Sequence, residues 1–213
     1  MSTIRVLRSL ENPALLDDLR QAHPDITWVD APMPFLPGRG ESPGERAKLL
    51  ETVRQITSAL PSPDAVYYAR AYGAFSAAGR AAIQQIFPVP VVSAPGAVLA
   101  YFQHVRWHRV FVLTPYGQAR HQYEVEWVIQ QGLSVPASAC LGYDDGHDIA
   151  ALTEQDILPG IRTGHRSPAD GIYLACTVTR VLTMSPAIHP QSNPRMVSAT
   201  EAMLWQLEQV SGH

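Results

Sequence analysis

Short apolar runs alternate with amphipathic segments along the chain, and this pattern predicts an α/β fold with parallel strands. Prolines, glycines and helix-capping residues separate the two kinds of segment. Each apolar run is long enough for one strand, and each amphipathic segment is long enough for one helix. The predicted strands cover residues 4–7, 26–29, 66–69 and 89–92 in the first half, and residues 110–113, 135–141, 172–175 and 196–197 in the second.

The segment of residues 31–44 interrupts this alternation. It holds four prolines and three glycines, so it predicts a long loop. Such a loop often forms the lid or wall of a site, and a solvated surface loop is the alternative. The next helix is predicted to begin with a capping box of Ser42 and Glu45, and Ser198 and Glu201 predict the same start for the last helix.

One sequence pattern occurs twice. The run Asp64-Ala-Val-Tyr-Tyr-Ala-Arg70 is matched by Asp170-Gly-Ile-Tyr-Leu-Ala-Cys176, at an offset of 176 − 70 = 106 residues. The same offset relates the apolar run of residues 4–7 to that of residues 110–113. Matches in one register indicate an internal duplication.

A third match extends the repeat to the ends of the two halves. Val92-Ser-Ala recurs as Val197-Ser-Ala, at an offset of 197 − 92 = 105 residues, and a helical segment follows each copy. We therefore predict two similar α/β units related by a pseudo-two-fold axis. The predicted units are residues 1–92 with residues 198–213, and residues 93–197.

Composition restricts the partners that we expect. The chain has a net charge of −3, and Lys48 is its only lysine, so nearly all positive charge is arginine. The sequence contains no basic block, and we therefore expect no nucleic acid and no membrane as partner. No apolar run reaches membrane-spanning length and no secretion signal stands at the N-terminus, so we expect a cytoplasmic protein. In that compartment Cys140 and Cys176 are expected to remain free thiols.

Motifs for cofactors are missing from the sequence. It contains neither a phosphate-binding glycine loop nor a dinucleotide fingerprint, so we expect no cofactor. His104 and His108 have the spacing of a metal pair without a third ligand nearby, so we expect no metal. The sequence leaves a homodimer open.

Arg70 and Cys176 are the candidate functional residues of the repeated run. Each stands directly after its strand, at the carboxyl end where parallel sheets bind ligands. Two halves that face each other would place both residues on the walls of one cleft. Alternatively, Cys176 is a small buried apolar residue and Arg70 an ion-pair residue. A helix that begins directly after Cys176 would lower the pKa of its thiol and favour reactivity.

Four segments carry a resemblance to a known superfamily. Together they resemble the aspartate/glutamate/hydantoin racemase superfamily, in the branch of maleate isomerase and arylmalonate decarboxylase. The resemblance implies two pseudo-symmetric α/β units and cofactor-independent chemistry next to a carboxylate. The segments are Asp170-Gly-Ile-Tyr-Leu-Ala-Cys176-Thr, Pro90-Val-Val-Ser93, Val112-Leu-Thr-Pro-Tyr116, and Met196-Val-Ser198 with Ala202-Met-Leu-Trp205.

The resemblance implies a role for each matching residue. Racemases of the superfamily use one cysteine from each half as acid and base, and Cys176 matches the second of them. Arg70 stands at the position of the first, and a guanidinium with a pKa above about 12 takes up no proton there. The single cysteine resembles arylmalonate decarboxylase, although Ala71 and Tyr72 stand where that enzyme has hydroxyl residues. Tyr116 matches the tyrosine that binds the substrate carboxylate. Further candidates for substrate binding are Ser9, Thr114 and Thr177.

The resemblance thus implies a cofactor-independent enzyme that acts on a small carboxylate or dicarboxylate, with Cys176 as proton donor or nucleophile. Decarboxylation, isomerisation and racemisation remain open. Two alternatives also remain: a racemase homologue that has lost the two-cysteine mechanism, and a non-catalytic binder of small carboxylates.

Overall fold

Two separate four-stranded parallel sheets form the core of the computed structural model, which describes residues 2–10, 12–34, 36, 38–184, 188 and 195–211. Helices flank both sheets, so the predicted α/β fold class is confirmed. The strand order is β2-β1-β3-β4 in one sheet and β6-β5-β7-β8 in the other. Adding four to each strand number of the first sheet gives the strand order of the second. This is the topology that an internal duplication produces.

The elements follow one another in nearly the same order in both halves. The first half contains β1 (Thr3–Ser9), α1 (Ala14–Ala22), β2 (Thr27–Met33), α2 (Pro43–Thr57), β3 (Ala65–Ala69), α3 (Ala77–Gln84), β4 (Val91–Ser93) and α4 (Ala94–His104). The second contains β5 (Val110–Tyr116), α5 (Gln118–Gln130), β6 (Ser138–Tyr143), α6 (Gly146–Ala150), α7 (Glu154–Arg166), β7 (Gly171–Leu174), a 3₁₀ turn (Val181–Thr183), β8 (Met196–Ser198) and α8 (Ala199–Ser211).

The chain divides into two compact units. The first unit is Met1–Ala100 with Ala202–His213, and the second is Tyr101–Glu201. The borders expected from the sequence, at residues 92/93 and 197/198, lie within nine residues of this division. Those borders and the pseudo-two-fold axis stay predictions, and residues 1, 212 and 213 of the predicted first unit lie outside the described residues.

The 106-residue repeat recurs in the pairing of the strands. Ile4 pairs with Ala65 between β1 and β3, and Val110 pairs with Gly171 between β5 and β7, so both partners are shifted by 106 residues. Parallel strands buried on both faces are apolar throughout. This explains why every residue of β3, β5 and β7 is buried and why the sequence shows them as continuous apolar runs.

The repeated aspartates tie neighbouring strands together in the same way. The Asp64 carboxylate accepts a hydrogen bond from the Thr3 N–H at 2.7 Å, and the Asp170 carboxylate accepts one from the Arg109 N–H at 2.9 Å. Asp170 also accepts from the His108 N–H at 2.9 Å and forms a 2.8 Å ion pair with the Arg109 side chain. These backbone N–H donors, with the Arg109 side chain, lower the pKa of Asp170 to about 2.

Two glycines let α7 approach the second sheet closely. A β-carbon on Gly160 would lie 2.5 Å from a methyl of Leu113, and one on Gly164 would lie 2.8 Å from the side chain of Ile172. The helix runs without a break from Glu154 to Arg166, although Pro159 stands inside it. This close packing holds α7 together where a proline alone would favour a helix end.

Other local predictions had mixed outcomes. The predicted loop at residues 31–44 was wrong at its start, because β2 continues to Met33 and buries Ala31 and Met33 in the core. Residues 35 and 37 of that loop lie outside the described residues. The capping box of Ser198 is confirmed, whereas Ser42 only accepts from the Glu45 N–H, at 3.4 Å. No helix in the described ranges is long and apolar enough to cross a membrane.

Candidate active site

Cys176 lies just beyond the carboxyl end of β7, a central strand of the second sheet. The Ala175 N–H donates to the Leu113 carbonyl at 2.9 Å, which holds the strand end against β5. The chain then turns sharply, and Cys176 has a φ of 83°. This left-handed conformation is unfavourable for a residue with a β-carbon, so the local fold keeps strain at this residue.

The helix predicted to follow Cys176 was wrong. Residues 177–180 are irregular, and the 3₁₀ turn Val181–Thr183 comes only after them. The positive end of a helix therefore does not stand directly behind the thiol. The expected lowering of the thiol pKa by a helix loses its physical basis.

Burial determines the state of the thiol. Only 9% of Cys176 is exposed, and burial raises the pKa of its thiol above the ordinary value of 9.0. A hydrogen bond donated by Tyr116, the Val178 N–H at 3.3 Å from Sγ, and the charge of Arg120 act in the opposite direction. Because the net change is upward, Cys176 carries its proton at neutral pH. Its role as proton donor or nucleophile stays a prediction.

Tyr116 connects the thiol to an arginine. It is the last residue of β5 and is buried, and burial raises the pKa of its hydroxyl well above 10.0. The hydroxyl therefore stays neutral and donates to Cys176. The guanidinium carbon of Arg120 lies 4.1 Å from the centre of the Tyr116 ring, a cation–π contact that fixes the ring.

A buried carboxyl belongs to the same group of residues. Glu124 is 4% exposed, and its Oε1 accepts a 2.8 Å hydrogen bond from the Tyr173 hydroxyl. Burial raises the pKa of Glu124 to about 7, against the lowering by Tyr173 and Arg120. The charge of Glu124 raises the pKa of Cys176. The carboxyl thus titrates in the neutral range beside the thiol.

Arg120, Glu124 and Tyr173 were missed by the sequence analysis. A signal was present for Glu124, because it shares the buried face of α5 with His121 and Val128 at helical spacing. A charged residue on the apolar face of a helix is unusual and indicates a role.

Two other predicted residues of the second unit have defined surroundings. The Thr114 hydroxyl is fully buried and lies 3.0 Å from Nδ1 of His121, whose Nε2 lies 3.0 Å from Oγ of Ser138. Burial lowers the pKa of His121, so its ring is neutral in this chain of hydrogen bonds. Thr177 is buried directly after Cys176. Substrate binding by Thr114 and Thr177 stays a prediction.

The remaining predicted residues belong to the first unit. Arg8 on β1 pairs with Ala69 on β3, so the next residues, Ser9 and Arg70, lie at the ends of neighbouring strands. One guanidinium nitrogen of Arg70 donates to the Leu36 carbonyl at 3.1 Å, while its Nε is buried without a hydrogen-bond partner among the described residues. Ala71 is the next residue in the chain after Arg70.

Tyr72 takes part in the packing behind this strand end. Its carbonyl accepts from the Tyr68 hydroxyl at 3.1 Å, and its ring centre lies 6.0 Å from that of Phe75. The structure brings Ser9, Arg70, Ala71 and Tyr72 to one end of the first sheet, and Thr114, Tyr116, Cys176 and Thr177 to one end of the second. A shared site for the two sets stays a prediction. In the described part of the chain, no three His, Cys, Asp or Glu residues are arranged to hold a metal ion.

Solved structures show where this fold is found. A variant of arylmalonate decarboxylase in its liganded form has a TM-score of 0.80 at 18% identity, over 100% of this chain and 93% of that chain. Maleate cis-trans isomerase from Nocardia farcinica, bound to TRIS, has a TM-score of 0.78 at 15% identity, over 99% and 92%. A variant of the same isomerase with a covalently bound succinylcysteine intermediate has a TM-score of 0.74 at 16% identity, over 98% and 92%.

These likenesses show an α/β fold shared with arylmalonate decarboxylase and maleate isomerase, in agreement with the branch that the sequence resembles. More narrowly, the chain belongs to the arylmalonate decarboxylase family, whose sequence profile matches residues 46–213. No curated protein sequence matches the chain significantly.

The strain at Cys176 has a measurable consequence. Cys176→Gly and Cys176→Ala both remove the thiol, but only alanine keeps a β-carbon in the left-handed conformation. We expect the glycine variant to have a free energy of unfolding about 1 kcal/mol higher than the alanine variant, measured by urea denaturation.

Cys140 provides the matched control. It lies within β6, and its φ is not positive. Glycine is there expected to be less stable than alanine, because it loses more backbone entropy on folding. The same order of stability at both positions would contradict a strained Cys176.

Proposed function

We propose that this protein is a cofactor-independent decarboxylase that acts on a small substituted malonate and uses the Cys176 thiol as proton donor. One observation carries the proposal: a buried, protonated thiol stands at the carboxyl end of a central strand, with Tyr116 and the Val178 N–H donating to its sulfur. Membership of the arylmalonate decarboxylase family supports the substrate class.

The reaction needs no redox partner. The bond between the α-carbon and one carboxylate breaks, carbon dioxide leaves, and the electron pair stays on the substrate as an enediolate. The S–H bond of Cys176 then breaks and its proton forms a new C–H bond at the α-carbon. The resulting thiolate is stabilised by the Tyr116 hydroxyl, the Val178 N–H and the charge of Arg120, and it takes a proton from water before the next turnover.

A raised thiol pKa suits this step. A proton donor must be protonated before it acts, and burial provides that state at neutral pH. The three stabilising groups lower the cost of the thiolate that remains afterwards. A thiol with a strongly lowered pKa would favour addition to the substrate instead.

Thiol addition is the second candidate. The Nocardia farcinica isomerase variant holds a succinylcysteine, the product of sulfur addition to a double bond. Tyr116, the Val178 N–H and Arg120 would also stabilise the thiolate that such a reaction requires. In this alternative the enzyme isomerises a cis-dicarboxylate such as maleate.

Arg70 is the proposed carboxylate anchor. Its Nε is buried without a hydrogen-bond partner among the described residues, and a carboxylate would provide one. Tyr116, Thr114, Thr177 and Ser9 are proposed to hold further carboxylate oxygens, and Ala71 and Tyr72 to line the site. A cytoplasmic location and a homodimer remain expectations from the sequence.

Turnover tests the role of the thiol. Cys176→Ala is expected to lower kcat at least about a hundredfold, because it removes the only proton donor proposed for the α-carbon. Release of carbon dioxide from phenylmalonate measures decarboxylation, and the absorbance change of maleate measures isomerisation.

Cys140→Ala is the control for this experiment. The Cys140 thiol donates to the Gln118 side chain at 3.4 Å, and its loss is expected to leave kcat within a factor of two of the unchanged protein. Equal losses in both variants would show that cysteine packing rather than chemistry was measured. Turnover of maleate alone would favour the second candidate.

Arg70 gives a separate test of carboxylate binding. Arg70→Lys keeps the charge but loses the two-pronged geometry of the guanidinium, so kcat/KM is expected to fall by about 1–3 kcal/mol of transition-state stabilisation. Arg70→Cys restores the two-cysteine pattern of the racemases and should impair the native reaction. Weak racemisation of a 2-substituted acid by this variant would show that the restored cysteine pair is active. Unchanged kinetics in both variants would remove Arg70 from the site.

A further inference from the structure

Helix α5 contacts the second sheet through polar side chains as well as apolar ones. Nδ1 of His121 lies 3.0 Å from the Thr114 hydroxyl of β5, and Oε1 of Glu124 accepts a 2.8 Å hydrogen bond from the Tyr173 hydroxyl of β7. All four residues are buried. Burial of a carboxyl is costly even when it is hydrogen-bonded, so its presence on this face indicates a role.

An acid and a tyrosine occupy the equivalent places in the first unit. The 106-residue offset relates Glu124 to Asp18 of α1, since 124 − 106 = 18, and Tyr173 to Tyr67 of β3, since 173 − 106 = 67. Asp18 is 3% exposed and Tyr67 is fully buried. A buried acid on the helix and a buried tyrosine on the strand are therefore features of the duplicated fold.

The residues near this acid differ between the two units. Three groups of the Cys176 site are replaced in the first unit by residues that cannot do the same chemistry. At the 106-residue offset, the pairs are Arg120 and Ala14, Tyr116 and Leu10, and Cys176 and Arg70. Only the second unit combines its buried acid with an arginine, a tyrosine and a thiol at these positions.

Two structural routes lead from Glu124 to Cys176. Tyr173, which donates to Glu124, lies on β7 three residues before Cys176. Arg120 lies one helical turn before Glu124 on α5, and its guanidinium carbon is 4.1 Å from the centre of the Tyr116 ring. The Tyr116 hydroxyl in turn donates to Cys176. The carboxyl and the thiol therefore belong to one connected group of side chains.

Opposite charges act on the thiol within this group. Burial has the largest effect on the pKa of Cys176 and raises it, the charge of Arg120 lowers it, and the charge of Glu124 raises it. Burial raises the pKa of Glu124 itself to about 7, against the hydrogen bond from Tyr173 and the charge of Arg120. Glu124 therefore changes its charge near neutral pH, below the pKa of the thiol.

The other titratable groups on this face keep their charge in the same range. Burial raises the pKa of Tyr116 and of Tyr173 well above 10.0, so both hydroxyls remain neutral. Burial lowers the pKa of His121, so its ring is neutral as well. Arg120 stays positive throughout. A change in the charge beside the thiol near pH 7 is thus a change at Glu124.

We propose that Glu124 is a positioning residue of the Cys176 site, whose carboxylate, anchored to β7 by the Tyr173 hydroxyl, opposes Arg120 and holds the proton on sulfur until the substrate takes it. Without this negative charge, Arg120 would stabilise the thiolate more strongly and the proton would leave sulfur more readily. The role in proton donation rests on the proposed function of Cys176. The coupling between the carboxyl and the thiol is measurable without turnover.

Alkylation of Cys176 by iodoacetamide at a series of pH values tests this coupling. In the unchanged protein, the logarithm of the rate is expected to rise with pH and to show a shoulder near pH 7, where Glu124 becomes charged. Beyond the shoulder, the rate should lie at least about twofold below the extension of the low-pH line, because the new negative charge disfavours the thiolate. Glu124→Gln keeps an acceptor for Tyr173 but removes the charge, so its profile should lack the shoulder.

Tyr173→Phe provides a second test that keeps the carboxyl. It removes the hydrogen bond that lowers the pKa of Glu124, so the shoulder should move to higher pH. A merely structural role of Glu124 predicts no such movement. If Glu124→Gln does not fold, the Tyr173→Phe profile decides alone.

Asp18→Asn is the matched control. It removes the equivalent buried carboxyl from α1, where the repeat has Arg70 in place of the thiol, and it should leave the shoulder unchanged. Any of four results would overturn the proposal. They are a profile of the unchanged protein without a shoulder, a shoulder that persists in Glu124→Gln, one that does not move in Tyr173→Phe, and one that disappears in Asp18→Asn.

Turnover by the same samples separates this inference from the proposed function. A protein that shows the Glu124-dependent shoulder but converts neither phenylmalonate nor maleate supports the coupling and contradicts the proposed function. Turnover by a protein without the shoulder contradicts only the role of Glu124.

Discussion

Burial of the Cys176 thiol at the end of β7 is the constraint on which the proposed chemistry of this protein depends. The strand delivers the residue into a left-handed turn, and the surrounding side chains leave 9% of it exposed. Burial raises the pKa of the thiol. The hydrogen bonds from Tyr116 and the Val178 N–H act in the opposite direction, because they stabilise the negative charge that the sulfur carries once its proton has left. The same environment therefore keeps the thiol protonated at rest and stabilises the thiolate that forms when the proton is transferred.

Much of the fold could be predicted from the sequence because the repeat is visible in it. The matched runs that end at Arg70 and Cys176 follow paired strands of two sheets with the same order. Apolar runs identify strands well when both faces of a parallel sheet are covered. The start of α8 was also predictable, since Ser198 and Glu201 form a local motif.

The rest depends on tertiary contacts that local patterns do not contain. Residues 177–180, directly after Cys176, form no helix, although a strand in such a fold is usually followed by one. The sign of the thiol pKa shift depends on burial by residues that are distant in sequence, and the role of Glu124 depends on the Tyr173 hydroxyl 49 residues away. Helix α7 continues past Pro159 because Gly160 fits against Leu113.

Duplication followed by divergence explains the differences between the two units. Both keep the strand order and the aspartate ties at Asp64 and Asp170, and the register of β1 against β3 is that of β5 against β7. They differ at strand and helix ends, where substitutions change chemistry without disturbing the sheets. Arg70 takes the place that corresponds to Cys176.

The pH dependence of Cys176 alkylation tests the central claim most directly. Iodoacetamide reacts with the thiolate, so the rate of modification at Cys176, followed by mass spectrometry of the digested protein, reports the protonation of this thiol alone. We expect the rate to rise with pH along a titration whose midpoint lies above 9.0, the ordinary value for a cysteine thiol. A midpoint below neutral pH would show a resting thiolate and would contradict a buried proton donor.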